Sequence, residues 1–351
     1  MNNIENEINK INETLKNYGA ILNDLITVIQ NDQDNINNCM NNDLEINLQL
    51  NMLYALYNNR PYEISDPRHI KDDWFFFPQF RDSSETLDLI INEHKSLARF
   101  GDGEFSIIAN INRHKFQRLD SRLSARLSEV LNSNCDSLIL AIADNYGDLS
   151  KYNERSANAI RVYMNEDTRR FHSSLLRRDY IYSDAYITRP YVIYNDLDTD
   201  GPKNRFRQLQ KIWQDKNIII VEGAQTRLGI GNDLFSNAAS IKRIIAPATS
   251  SFDQYDNILA ESLKQDNNNL FILAIGPSSG VLAYDLSLEG YQAIDVGHID
   301  MEYEWFLAGK GERVPVPHKY NNEMSSDSEV ADINDPVYES QIIANFSNNA
   351  D

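Results

Sequence analysis

Two features of this 351-residue sequence point to an α/β protein with a doubly wound, mostly parallel sheet. From about residue 83 onward short apolar runs alternate with amphipathic helical stretches, and most of those runs lack the in-out alternation of a strand with one wet face. Uniformly apolar strands belong to sheets buried on both faces, and strand-helix alternation implies crossover connections that lay helices over both sides. A third feature, a heptad pattern ahead of that alternation, adds an amino-terminal helical coiled-coil segment. Ligands of such sheets bind beyond the carboxyl ends of the strands.

The heptads come first in the chain. Ile4, Ile8, Ile11, Leu15, Tyr18, Leu22, Leu25 and Ile29 follow at alternating steps of four and three, the spacing of a coiled-coil seam. The register continues less cleanly through Ile36, Ile46, Leu50 and Leu53, with Asp32 and Asp43 on seam positions. Either one amphipathic helix packs on its own domain, or residues 4–29 join copies of the chain into a homo-oligomer. SLARFG, SLILAIAD, DAYIT, NIIIVEG, IKRIIAP, LFILAIG and QAIDVG then read as strands. Between them SETLDLIINEHK, SRLSARLSEVLN, SANAIRVYMNEDTRRFHSSLL, NRFRQLQKIW, FDQYDNILAESLKQ and SGVLAYDLSLEG read as helices. The division is a heptad segment over 1–60, an α/β domain over 61–325, and an acidic, mobile tail over 326–351 that is poor in apolar residues.

Bulk properties narrow the function. A formal charge of −19 argues against duplex nucleic acid, whose affinity comes mostly from Lys and Arg on phosphates. Any anionic substrate must meet a local cationic site or a metal. The amino terminus has no basic, apolar leader pattern and no stretch is long and apolar enough for a membrane span. With only Cys39 and Cys135, far apart, a disulfide framework is not expected, and a cytoplasmic location fits.

Four loops at strand ends carry the candidate chemistry. In RFGDGEF, Asp102 and Glu104 point the same way if the loop is extended, offering two hard oxygens to a divalent cation. The alternative is a solvated turn in which Asp102 caps a helix beginning near Phe105. In IGPSSGVLAYDL, Gly276, Ser278, Ser279 and Gly280 lie where backbone amides and a helix N-terminus can receive a phosphate or ribose hydroxyl, or merely make a tight turn. There is no GxGxxG and no GxxxxGK[ST]. VEGAQTRLGIGNDLF offers Arg227, and TRPY offers Arg189, as planar forks for a diphosphate or as salt-bridging residues. Thr226, Asn232 and Asp233 in the first of these loops, and Arg99 at the first strand end, complete the candidate substrate-binding set. VGHIDMEYEWF packs His298, Asp300, Glu302 and Glu304 together, with Asp300 and Glu304 on one helical face at i and i+4. Like charges so placed suggest a functional site, unless Asp300 is an N-cap and the glutamates are solvated. Asp300 is the first candidate for a general base, with His298 and Glu304 beside it.

RFGDGEF, ITRPY, VEG…TRLGIGNDLF and IGPSSGVLAYDL…GYQAIDVGHIDMEYEW, in that order over roughly residues 65–325, resemble the bacterial glycosyltransferases of the GT-D fold, typified by enzymes that extend glycans on serine-rich repeat adhesins. The resemblance implies a Rossmann-like fold, a sugar-nucleotide donor such as UDP-glucose, and a glycan or glycoprotein acceptor. It also implies a DxE metal motif at Asp102 and Glu104 holding Mn2+ or Mg2+. The competing functions are another nucleotide-dependent enzyme, or a non-catalytic nucleotide-binding scaffold oligomerised by its heptads.

Overall fold

A computed structural model describes residues 46–47, 49–63, 73–111, 117–320, 330 and 333–347. The strands are β1 (Gln79–Phe80), β2 (Ser96–Phe100), β3 (Leu138–Ile142), β4 (Ile181–Asp184), β5 (Asn217–Gly223), β6 (Ser240–Ala246), β7 (Leu270–Ala274), β8 (Gln292–Asp295) and β9 (Ile342–Asn345). They form one sheet in the order β1-β4-β3-β2-β8-β7-β5-β6-β9. Every neighbouring pair is parallel. The helices are α1 (Ser83–Ile91), α2 (Asp102–Ile108), α3 (Ser121–Leu131), α4 (Glu154–Tyr163), α5 (Glu166–Leu175), α6 (Gly201–Gln210), α7 (Tyr255–Ser262), α8 (Ser278–Leu288), α9 (Ile299–Leu307) and α10 (Pro336–Gln341).

The unbroken apolar strands have the cause their sequence suggests. Leu97, Ile139, Ala141, Ile218, Ile220 and Ile272 pack into one core cluster. Their chain neighbours Ala98, Leu140, Ile142, Ile219, Val221 and Leu273 pack into another on the opposite face. Successive side chains of a strand point to opposite faces, so a strand covered on both must be apolar at every position.

Three expectations need correction, and one strand was not foreseen. The strand expected at DAYIT ends at Asp184, whose side chain accepts the Tyr186 amide and turns Ala185–Thr188 into a 3-10 helix. The single helix expected over 156–176 is two, because Asn165 caps a new helix by accepting the Thr168 amide. Edge strand β1, only two residues long, had no recognisable pattern. The tail over 326–351 is not mobile throughout. Asp335 caps α10 by accepting the Val337 and Tyr338 amides, and β9 pairs with β6. Tyr338 is buried there, its ring 4.8 Å from the Arg243 guanidinium. An overall acidic composition hid one short, well-anchored element.

Residues 49–59 are helical and hold Leu50, Leu53, Tyr54 and Tyr57 in solvent, while residues 4–29 lie outside the described residues, as does Cys39. Among the described residues no helix is long and apolar enough to cross a membrane.

The site is positioned by the junction of β2 and β8. From β2 the chain steps outward to β3 and β4, whereas β8 is reached from β7 on the other side. The loops leaving β2 and β8 therefore diverge, and a crevice opens between them at the carboxyl edge.

Candidate active site

A cavity of about 1170 Å³ occupies that crevice and extends over both flanks. At its centre Arg99, on β2, is locked to β8. Its Nε donates to the Asp295 carbonyl and its Nη2 to Asp295 Oδ1, each at 2.9 Å. Asp295 Oδ1 also accepts the Gly297 amide at 3.1 Å. Gly297 has φ +49°, and a Cβ there would lie 1.9 Å from Arg99 Nη2. Both the backbone and the guanidinium demand glycine at this position.

The acidic pair of RFGDGEF is not an extended loop. Gly101 is the N-cap of α2, Asp102 and Glu104 occupy its first turn, and Glu104 Oε2 reaches back to accept the Gly101 amide at 2.8 Å. The helix turns the two side chains apart, leaving Asp102 exposed and Glu104 half-buried. Both still line the cavity, with Asp295. Burial pushes the Glu104 carboxyl above its ordinary value against the opposing Gly101 bond, and the Asp295 charge adds to the rise. Burial likewise pushes Asp295 up, with Arg99 opposing. A buried, a half-buried and an exposed carboxylate thus crowd one wall, which suits a hard divalent cation. Among the described residues no three His, Cys, Asp or Glu side chains are grouped to hold a metal by themselves. The set that fits is one or two carboxylates plus substrate phosphates, the usual coordination of Mg2+.

Below α2 a neutral histidine anchors the turn. The His172 ring lies 4.0 Å from that of Phe105, and its Nδ1 and Nε2 meet the Tyr146 and Tyr163 hydroxyls at 2.7 and 3.1 Å. Burial lowers its pKa from 6.5 to about 4. In that window the unfolded chain binds a proton the folded chain refuses, so this stabilisation is complete above pH 6.5 and lost on acidification. The loss is about 2 kcal/mol by pH 5. Asp184, pushed up to about 6 by burial and then by the Asp144 charge, has the opposite slope, disfavouring the folded state as pH rises toward 6. The stability difference between parent and His172→Gln, read by urea unfolding, should therefore shrink by about 2 kcal/mol from pH 7 to pH 5. An unchanged difference would refute the assignment.

On the other side Arg189 Nη2 lies 3.0 Å from His298 Nδ1. A guanidinium only donates, so Nδ1 accepts and the neutral ring carries its proton on Nε2. Both residues line the cavity. The 3-10 turn and the loop after it are fixed by Glu302, fully buried, whose Oε2 accepts the Tyr191 and Val192 amides at 3.1 and 3.0 Å.

Asp300, expected in an open loop, is buried and fully hydrogen-bonded. It borders the cavity but is only 2% exposed. Its Oδ1 accepts the Gly229 amide at 2.9 Å and Asn232 Nδ2 at 2.8 Å, and its Oδ2 pairs with Lys319 Nζ at 2.6 Å. Glu304 Oε1 accepts the same Asn232 and Lys319 groups at 2.7 and 2.8 Å. An ammonium and an amide thus bridge the two acids. With three donors in place Asp300 links α9, the 229–232 loop and Lys319. Glu304 does not line the cavity.

Other residues expected at the site are bonded within the protein. Arg227, at φ +51° and 6% exposed, donates from Nη1 to the His318 carbonyl at 2.6 Å and pins the 318–320 loop. Asp233 accepts the Tyr303 hydroxyl at 2.7 Å. Ser278 and Ser279 are fully buried, Ser278 bonded to the Ser251 hydroxyl and Ser279 Oγ accepting the Ile275 amide. Gly280 faces β2, 3.7 Å from the Arg99 carbonyl at its would-be Cβ. Of these loops only Thr226, Leu228, Gly276 and Pro277 reach the cavity. Sequence reasoning missed Asp295, Tyr186 and Arg313, which line the cavity, and Lys319, which pairs with Asp300 and Glu304. Asp295 had a signal, an acid ending a buried strand, whereas Lys319 sits in a PVPHKY loop with none.

Comparison with known proteins gives a consistent result. The family model described as glycosyltransferase GT-D fold matches residues 97–324. The probable glycosyl transferase Gly of Streptococcus gordonii is 36% identical over 266 residues, 75% of this chain and 38% of that protein. Glycosyltransferase GlyD of Streptococcus pneumoniae serotype 4 is 35% identical over 271 residues, 77% of this chain and 33% of that protein. The chain thus spans 33% to 38% of the length of these curated relatives. A solved structure described as a new glycosyltransferase from Streptococcus sanguinis superposes with a TM-score of 0.71 at 34% identity, covering 77% of this chain and 99% of that one. Another, described as domain of unknown function 1792 with a distinct glycosyltransferase fold, gives 0.71 at 32% identity, covering 77% and 96%.

Proposed function

We propose, because this chain belongs to the glycosyltransferases of the GT-D fold, that its cavity takes a nucleotide-sugar donor, a UDP-hexose such as UDP-glucose, and passes the hexose to a carbohydrate acceptor of a glycoprotein or surface polysaccharide. The observation that carries this reading is the juxtaposition, over the β2/β8 junction, of a carboxylate wall with an Arg189–His298 pair. Asp102 and Glu104 would hold Mn2+ or Mg2+, which supplies Lewis-acid neutralisation of the leaving diphosphate. Arg189 offers its guanidinium fork to the same phosphates, and His298 Nε2–H is a second donor to the charge that develops on departure. Gly276, at φ +63°, brings the N-terminus of α8 to the cavity edge, where a phosphate is favoured. Arg99, held by Asp295, keeps the wall from collapsing and is not free to swing onto a ligand.

The test is a screen of nucleotide sugars for hydrolysis by the full chain with manganese. UDP-hexose turnover that stops in EDTA is expected. No turnover of any nucleotide sugar would sink the proposal.

Self-association through residues 4–29 is part of the same reading. It is supported by the exposed Leu50, Leu53 and Tyr57 on the helical stretch that continues the seam register, since an apolar stripe left in water is unfavourable. Asn59 donates to the Arg161 carbonyl and Glu63 pairs with Arg161, so a truncation should spare them. Deleting residues 1–45 should give a monomer by light scattering that still turns over donor. A monomeric full chain would contradict the assignment.

A further inference from the structure

At about 1170 Å³ the cavity exceeds the roughly 300–1,000 Å³ of a pocket for one small ligand. Its two flanks differ in chemistry. Over β5 and β7 lie Gly276, Pro277, Thr226 and the N-terminus of α8. Over β3 and β4 lie Tyr152, Tyr186 and, on α4, Arg155, Ser156, Ala159 and Tyr163.

The tyrosines of the second flank are fixed, and their hydroxyls are bonded inside the protein. Tyr152 donates to the Asp144 carbonyl at 2.8 Å, Tyr186 to Asn145 Oδ1 at 2.9 Å, and the Tyr163 hydroxyl meets His172 Nε2 at 3.1 Å. The Tyr152 and Tyr186 rings pack edge to face at 5.6 Å. What this flank presents is therefore chiefly the half-buried Tyr186 ring, backed by the Tyr152 ring at 4% exposure, with the exposed Arg155 and half-buried Ser156 as polar groups beside it. Beneath it Asp144 and Asp184 share one ammonium, Lys151. The α8 N-terminus on the opposite flank favours a diphosphate. A pyranose has an apolar C–H face that lies on aromatic rings and a rim of hydroxyls that needs a few donors and acceptors. The exposure of Arg155 and Ala159 leaves this flank open to solvent, as a sugar at the end of a longer chain requires.

We infer that the β3/β4 flank, floored by Tyr152 and Tyr186 and walled by α4, is the acceptor site, taking a terminal pyranose of a carbohydrate. This rests on the donor reading above and adds which side each substrate occupies. The experiment uses the full chain with UDP and Mg2+, with methyl β-glucoside and methyl β-galactoside as probes, followed by saturation-transfer NMR, and UDP affinity followed separately by calorimetry. The parent should bind a pyranose. Ala159→Trp, which fills the flank from an exposed helical position, should weaken it by about tenfold or more, while UDP binds with the parent's affinity. Arg155→Ala, a milder change, should weaken the pyranose by about threefold or more. Loss of UDP affinity in Ala159→Trp would place the nucleotide on this flank and overturn the inference. So would a parent that binds UDP but neither pyranose, or variants that bind both as before. A parent that fails to bind UDP would instead overturn the donor reading.

Discussion

Asp102→Ala should lower donor turnover by about a hundredfold or more while leaving the fold nearly as stable as before. The two effects separate because of where Asp102 sits. It is exposed in the first turn of α2, where a carboxylate adds about 0.3–1 kcal/mol through the helix dipole. Glu104 is a less clean test, since Glu104→Ala also removes the acceptor of the Gly101 amide and should cost about 0.5–2 kcal/mol. Turnover with manganese, measured alongside urea unfolding, decides the matter. An Asp102→Ala protein at full activity, or a parent at full activity in EDTA, would end the claim that these carboxylates hold a metal.

Lys319→Met should destabilise the fold by about 3–5 kcal/mol, the cost of leaving a buried charge without its partner. Lys319 is 7% exposed and bridges Asp300 and Glu304, and Asp300 is 2% exposed. Without the ammonium, Asp300 keeps only the Gly229 amide and Asn232. Lys319→Met with Asp300→Asn should recover part of the loss, because the uncompensated charge is gone. A single variant within 1 kcal/mol of the parent, which is roughly what an exposed pair would give, would contradict that bridge. Asp300→Asn alone bears on catalysis. As a brace, Asp300 predicts that loss of stability dominates and that the folded fraction retains turnover.

The sheet was legible where burial on both faces forces a pattern. Leu138–Ile142 and Leu270–Ala274 have no polar residue and are buried throughout. The margins were not. Gln79–Phe80 is too short to show a period, and Ile342–Asn345 is held by α10 against β6 after an acidic stretch. Around the cavity, the position of each loop followed from parallel topology, since carboxyl ends gather on one edge. The direction of each side chain did not. Arg227 and Ser279 stand in the expected loops but turn into the protein, toward the His318 carbonyl and the Ile275 amide. Lys319 converges with Asp300 from 19 residues away only because the loop after α9 folds back, and no local pattern encodes that return.

On the proposed function, the crevice over β2 and β8 binds a nucleoside diphosphate between the α2 carboxylates and Arg189. Calorimetric titration of UDP into the full chain with manganese tests it directly, with Arg189→Ala as comparison. The expected result is saturable binding by the parent, weakened by about 1.5–3 kcal/mol in Arg189→Ala, the range for a hydrogen bond to a charged group. Equal UDP affinity in the two proteins, or no binding by the parent, would contradict it.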